Sequence, residues 1–267
     1  MPKKKHEIIR RIVRAASATA PKSRRGRTAA FIQAYFARAP VDDLAARPVA
    51  DLAGAALCHL ELARHWTRTA RTVRVYNPDR ERDGWSSEHT VVDIVTRNSP
   101  FLVDSVTMEI NRQGFVNHFI VHPMLRLVRT RRGRMTEVRG ADEDTDASEL
   151  TSFIHAEIDR ETDPERLRDL ETGLNDALDD VRASVRDWKQ VMARVQTAIA
   201  EMENTPLPLD RRLVQESAEF LRWLGADHFT VLGYRDYDLV RGRGGDSLRI
   251  VPGTGLGILR ERRGRTR

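Results

Sequence analysis

Three histidines in the middle of the chain pose the first chemical question. His118 and His122 lie four residues apart on one face of a strand, and His155 stands on what reads as a neighbouring strand, so the three could converge on zinc. No carboxylate or cysteine stands at ligand spacing beside them, and half-buried structural histidines explain the same pattern. Cys58, His59 and His65 form a second group, but the two histidines are too far out of phase to share a helix face and read as core or surface residues. Asp93, Asp104, Glu157 and Asp159 supply carboxylates, yet no Ser/His or Cys/His arrangement declares a nucleophile. No catalytic set and no metal site are expected.

Gly253-Thr254-Gly255-Leu256-Gly257 follows a strand and looks like a dinucleotide-binding turn. Such a turn needs a helix, a second strand and an acidic residue beyond it, and the ten residues after Gly257 cannot build them. No bound cofactor is expected. The better place for a small ligand is the loop Asn98–Ser105, where a strand hands over to a helix whose first N–H groups are unpaired and favour an anion. Asn98, Ser99, Phe101, Asp104 and Ser105 are the candidate residues. Ordinary capping, with Ser99 as N-cap and Pro100 at the first helical position, explains the loop without a ligand.

The elements that would position these groups follow from periodicity. Residues 1–25 form a basic N-terminal arm: Arg10, Arg11 and Arg14 interrupt any secretory core, and the Arg-rich start suits a transit peptide or, more simply, a frayed basic helix. A helical segment spans 26–71. From Thr72 the pattern turns to strands, with an α+β domain over 72–162 that holds strand 89–98, helix 100–113 closed by Gly114, a strand ending at a His122-Pro123 turn, and strand 150–159. Val92, Ile94, Val103, Val106, Ile110, Phe119 and Val121 are its expected core.

Residues 163–204 carry the clearest signal. Leu174, Leu178, Val181, Val185, Trp188, Met192, Val195, Ile199 and Met202 recur at alternating spacings of four and three, the seam of a helix lying on another helix. Leu178, Val181, Val185, Trp188, Met192 and Val195 are its candidate interface. Residues 205–267 begin a second α+β unit after Thr205-Pro206-Leu207-Pro208.

Composition narrows the function classes. The 267 residues carry a net charge of +6, but the surplus sits in the first 38 residues and the last nine, and the body between is acidic. A basic tail on an acidic body is no nucleic-acid surface. No apolar run approaches the roughly 18 residues of a membrane span, and a single cysteine, Cys58, suits a reducing cytoplasm.

Three stretches together resemble one family: RNSPFLVDSVTMEINRQGFVNHFIVHP (97–123), SAEFLRWLGADHFTVLGYRDYDL (217–239) and VPGTGLGILR (251–260). They are similar to the N-terminal part of the large bacterial NAD-dependent glutamate dehydrogenases, where tandem ACT-like, ferredoxin-like α+β modules precede a distant catalytic domain. The resemblance implies a noncatalytic regulatory and oligomerisation region. The parent reaction would take L-glutamate, NAD and water to 2-oxoglutarate, ammonia and NADH, with NAD bound by the parent and not by this chain. It also implies an amino-acid effector at the first strand-to-helix loop, here Asn98–Ser105, and as partners further copies of the chain and the downstream catalytic domain. Ligand-binding ACT domains often carry a glycine where this chain has Pro100, so an oligomer-building role stands beside effector binding. A free-standing ACT-like sensor or protein-interaction module is the alternative.

Overall fold

A computed structural model describes residues 2–65, 72–130, 135–142, 148–206, 208–242 and 244–260. The expected continuation of the helix to Arg71, most of the acidic loop at 141–149, the turn at 131–134 and the tail from 261 lie outside the described residues. The chain divides into two units, Met1–Ala177 and Leu178–Arg267.

The first unit is an α+β fold built on one antiparallel sheet. Strand β1 (Thr72–Tyr76) precedes β2 (Thr90–Arg97), β3 (Asn117–Val121), β4 (Met124–Arg129), β5 (Met135–Gly140) and β6 (Ser148–Ile158). They pair in the order β1-β2-β6-β4-β5, and β3 also pairs with β6. Helix α6 (Leu102–Arg112) carries the chain from β2 across β6 to β3, a split β-α-β unit. The sheet order is that of a ferredoxin-like fold in which β1, from the N-terminal side, takes the place of the last strand.

The expected turn at His122-Pro123 does not exist. Val121 pairs with His155 and Met124 with Ser152, so the antiparallel register runs unbroken from β3 into β4. Proline cannot donate to the ladder and interrupts the strand without reversing it. Its carbonyl still accepts from the Phe153 N–H at 3.0 Å.

Both faces of the sheet are covered, which is why β2 is buried from Thr90 to Thr96. On one face lie α1 (Pro2–Thr19), α2 (Arg25–Phe36), the short α3 (Val41–Ala45) and α4 (Val49–His65), and the single turn α5 (Arg80–Asp83) stands between β1 and β2 in the chain. Their residues Ile12, Phe31, Ile32, Leu44 and Leu60 form one core with Val95, Phe119, Val121, Leu125 and Phe153 of the sheet. Helix α1 is therefore no frayed arm. Its arginines face out while Ile12 and Ala16 are fully buried, and the apolar stripe locks it onto α2 and α4.

The other face, with Val92, Ile94, Ile154 and Ile158, is closed by α6 and the start of α7 (Pro164–Asn204). The expected core thus splits between two layers, because neighbours in a strand point to opposite faces. Val103 belongs fully to neither and is half-buried.

Gly173 lets α6 and α7 come together. A Cβ there would fall on the Glu109 carboxylate and the Gln113 amide. Glu109 accepts bidentate bonds from Arg112, both at 2.7 Å, and Gln113 donates to the Asp169 carbonyl of α7 at 3.2 Å.

In the second unit, α7 continues to α8 (Arg211–Trp223), extended by a π-helical turn at Leu224–His228. The expected long strands divide into two separate pairs. Strand β7 (Gly233–Tyr234) pairs with β10 (Leu256–Gly257), and β8 (Tyr237–Val240) with β9 (Ser247–Ile250). Along α7, Leu178 and Val181 are buried and Met192 and Val195 half-buried, while Val185 and Trp188 are exposed at 37% and 45%. The buried face passes instead through Ala183, Asp187 and Val191.

Candidate functional site

Asp93 and His155 face each other across β2 and β6, the two central strands, on the side that meets the helices. Both are essentially inaccessible. Position 93 falls among valines and isoleucines, so strand propensity carries a charge into the core. A buried charge is tolerated only when paired and hydrogen-bonded. The His155 Nδ1–H donates to Asp93 Oδ1 at 2.6 Å, and the Tyr76 hydroxyl donates to Asp93 Oδ2 at 3.0 Å.

Helices α2 and α4 add a second branch. His59 Nε2 stands 3.0 Å from the Ile94 carbonyl, which can only accept, so Nε2 carries the proton and Nδ1 takes the Tyr35 hydroxyl at 2.9 Å. Burial holds His59 below the usual imidazole range and Tyr35 above the usual phenol range, so both are neutral. On the outer side, His155 Nε2 lies 3.8 Å from Glu157 Oε1, and Arg47 donates to Glu157 Oε2 at 3.1 Å. The Arg47 guanidinium also sits 3.8 Å over the Phe119 ring.

Two cations and two anions therefore balance in one buried cluster. Burial alone would neutralise His155, but Asp93 and Glu157 outweigh it and push its pKa up to about 9. Burial would likewise raise Glu157, but the charged His155 imidazole 3.8 Å away and the hydrogen bond from Arg47 bring it down to about 2. Asp93 too, despite its burial, is held below the usual carboxylate range by the charged His155 imidazole and the hydrogen bonds it accepts from His155 and Tyr76.

These shifts predict the pH dependence of stability. The raised His155 pKa stabilises the fold in full below its unfolded value of 6.5 and is lost as pH climbs through about 9. The depressed Glu157 pKa contributes above 4.5 and is lost as pH falls through about 2. Unfolding free energies from urea melts should be flat between about pH 4.5 and 6.5 and decline between about 6.5 and 9 by roughly 2–3 kcal/mol. In His155→Gln the alkaline decline should disappear; its persistence would assign the charge elsewhere.

His59, Asp93 and His155 also have the donor types of a metal centre, with their nearest ligand atoms all within 4.8 Å. Tyr35 and Ile94 already engage both His59 nitrogens, and Asp93 holds the His155 Nδ1–H. An ion would have to break these bonds, so the arrangement serves a charge-balanced hydrogen-bond network better than a metal.

Above the cluster opens a cavity of about 620 Å3. Arg47, Asp51, Trp85, Phe119, His155 and Glu157 are among the residues that line it. Asp51 accepts from Arg80 at 2.8 Å and from the Ser86 N–H at 3.3 Å.

The sequence-derived candidates lie elsewhere. The three histidines do not converge: His118 pairs with Asp159 at 2.7 Å and stacks on His89, His122 meets Ser152 Oγ at 3.1 Å, and only His155 joins the cluster. In the loop Asn98–Ser105, Asn98 accepts from Ser152 Oγ at 2.8 Å, and the exposed Ser99 hydroxyl bonds only the Pro100 carbonyl at 3.2 Å. Ser99 is not the N-cap. The helix begins at Leu102 behind Phe101, whose φ of +66° is left-handed. Phe101 and Asp104 are exposed and Ser105 is half-buried.

The glycine turn does not fit a dinucleotide. Gly257 pairs with Gly233 in a two-stranded ladder, where a Cβ would fall on the Leu232 carbonyl, and its N–H donates to Asp187 Oδ2 at 2.9 Å. A protein carboxylate thus takes the amide that would face a pyrophosphate. Arg260 completes the cap on Asp187 at 2.8 Å.

Residues 31–174 match the family described as glutamate dehydrogenase, ACT1 domain. The chain belongs to this family. Relatives include proteins named NAD-specific glutamate dehydrogenase from Halomonas elongata, 38% identical over 86% of this chain, and Pseudomonas aeruginosa, 32% identical over 78%. One from Mycobacterium tuberculosis is 28% identical over 77%. The chain spans only 14%, 13% and 12% of the lengths of these three. The whole buried cluster, from Tyr35 to Glu157, falls within the ACT1 match. Among the described residues no helix is long and apolar enough to cross a membrane.

Proposed function

We propose that this chain is the noncatalytic regulatory region of a cytoplasmic NAD-dependent glutamate dehydrogenase, the parent enzyme oxidising L-glutamate to 2-oxoglutarate and ammonia with reduction of NAD. The observation that carries the reading is the ACT1 match over 31–174, together with relatives named NAD-specific glutamate dehydrogenase of which the matched residues cover only 14% and 13%. The buried acid–base groups support it, because each of them is engaged with another protein group. Such a network holds a shape; it does not offer a nucleophile or base to a substrate. Regulation then means that an amino-acid effector binds within this region and biases a catalytic domain elsewhere in the polypeptide.

Assembly into homo-oligomers belongs to the same reading. Val185 and Trp188 leave an apolar stretch of α7 in solvent, and light scattering across concentration reads self-association directly.

The test compares two proteins. The purified 267-residue chain, given glutamate and NAD, should form NADH no faster than a heat-inactivated control. A longer polypeptide that carries these residues should form NADH at a rate that changes with added amino acids. Turnover by the short chain would overturn the noncatalytic assignment, and a rate indifferent to every amino acid would overturn the regulatory one.

A further inference from the structure

We infer that the exposed face of α1 is a docking surface for the anionic headgroups of an acidic lipid bilayer. Helix α1 turns Ile8, Ile12 and Ala16 into the core that it shares with α2 and α4. Lys3, Lys4, Glu7, Arg10, Arg11 and Arg14 are exposed. At about 100° per residue these positions fall within an arc of roughly 120°, so they form one face about 16 Å long. All but Glu7 are cations.

The rest of the fold does not neutralise this face. Glu7 is matched by Arg10 at 3.6 Å. Among the described residues, Lys3, Lys4, Arg11 and Arg14 have no ion-pair partner, and neither do the exposed Lys22 and Arg24 in the turn that follows. Arg11 and Arg14 stand three residues apart and Arg10 and Arg14 four apart, spacings at which like charges on a helix repel. A surface of opposite sign would relieve that repulsion. The whole row precedes residue 31, where the ACT1 match begins, and takes no part in the buried cluster.

The kind of partner follows from what the face lacks. It carries no aromatic side chain on which unpaired bases could stack. Its helix is seated on α2 and α4 and offers one side only, so it cannot enter the groove of a duplex as a reading helix does. No large apolar side chain of α1 is exposed, so a protein partner would find no anchor. What remains is a row of charges on a rigid element, and an anionic bilayer complements such a row along its whole length. Because the apolar residues are locked in the core, α1 adsorbs on headgroups without inserting, and the attraction is electrostatic alone. The same surface repels the acidic body of the chain, which turns α1 toward it. Adsorption of this kind needs no effector and does not depend on the regulatory reading above.

Co-sedimentation of the full chain with lipid vesicles tests the surface. Phosphatidylcholine vesicles with about 30% phosphatidylglycerol, in about 50 mM NaCl, should bind it with half-saturation at roughly tens to hundreds of micromolar lipid. Pure phosphatidylcholine should not bind it, and about 500 mM NaCl should weaken binding at least about tenfold. Arg11→Glu with Arg14→Glu should also weaken it at least about tenfold, and a thermal melt should match the parent, since both side chains are exposed. Arg182→Glu with Lys189→Glu makes the same change in net charge at exposed positions of α7 and should leave binding within about threefold. No saturable binding to the acidic vesicles, or equal binding to pure phosphatidylcholine, would overturn the site. So would equal losses in the two double variants, which would reduce the effect to net charge. Tighter binding to a short DNA duplex than to the acidic vesicles, lost in Arg11→Glu with Arg14→Glu, would overturn the lipid assignment.

Discussion

Asp93→Ala is expected to destabilise the first unit by about 3–5 kcal/mol, the usual consequence of removing one partner of a buried ion pair. The carboxylate accepts from His155 at 2.6 Å and from Tyr76 at 3.0 Å and is 1% exposed. Without it, the imidazolium keeps only Glu157, at 3.8 Å, and the Tyr76 hydroxyl loses its acceptor. Both groups would then pay desolvation with nothing in return. Asp93→Asn separates charge from hydrogen bonding. The amide oxygen can still accept from Tyr76, but the nearer of the two anions that raise His155 is gone and only Glu157 remains, so the imidazole should titrate well below about 9. Urea melts give the stability and NMR titration of His155 gives the pKa. A loss within about 1 kcal/mol, or a His155 pKa unmoved in Asp93→Asn, would show that the cluster is not an ion-pair network.

The second large effect belongs to Phe153→Ala, expected to cost about 3–5 kcal/mol. Phe153 is fully buried on β6, with its ring centroid 5.5 Å from Phe31, 6.4 Å from Tyr35 and 5.1 Å from His59. It joins the helices to the sheet, and its removal leaves a void between two rigid layers that cannot close by rotating one side chain. Near-UV circular dichroism should lose the aromatic signal at lower urea than in the parent protein. Val103→Ala is the control: that side chain is half-buried on α6, and the change should stay within about 1 kcal/mol. Equal costs for the two would place the core elsewhere.

Local order in this protein was legible in its sequence. The α+β class, helix α6 and the long α7 all come from apolar periodicity, which depends only on residues a few positions apart. The family was legible too, from motifs that keep their order along the chain. Where a local signal had a competitor it misled. Asn98-Ser99-Pro100 offers a standard helix start, yet the chain delays the helix to Leu102. His122-Pro123 offers a turn, yet the strand continues, because pairing with β6 outweighs one missing donor. The α7 seam slipped for a related reason: the buried face runs through Asp187, whose charge is met by Arg186, Arg260 and the Gly257 amide, and no count of apolar positions would put an acid there.

The cluster itself was decided only by the tertiary structure. Sequence reading placed His59 on a helix and Asp93 and His155 on strands, with no means of bringing them together. Tyr35, His59, Asp93 and Glu157 meet because α2 and α4 lie on the sheet face to which residues 93, 155 and 157 happen to point. A shift of one residue between β2 and β6 would send Asp93 or His155 to the other face and separate them. Strand alternation specifies two faces but not which face the helices cover, nor which residue of one strand stands opposite which of the next. Those choices are settled by burying both layers at once. They turn scattered acids and histidines, unremarkable in the sequence, into a neutral, buried network beneath an open cavity.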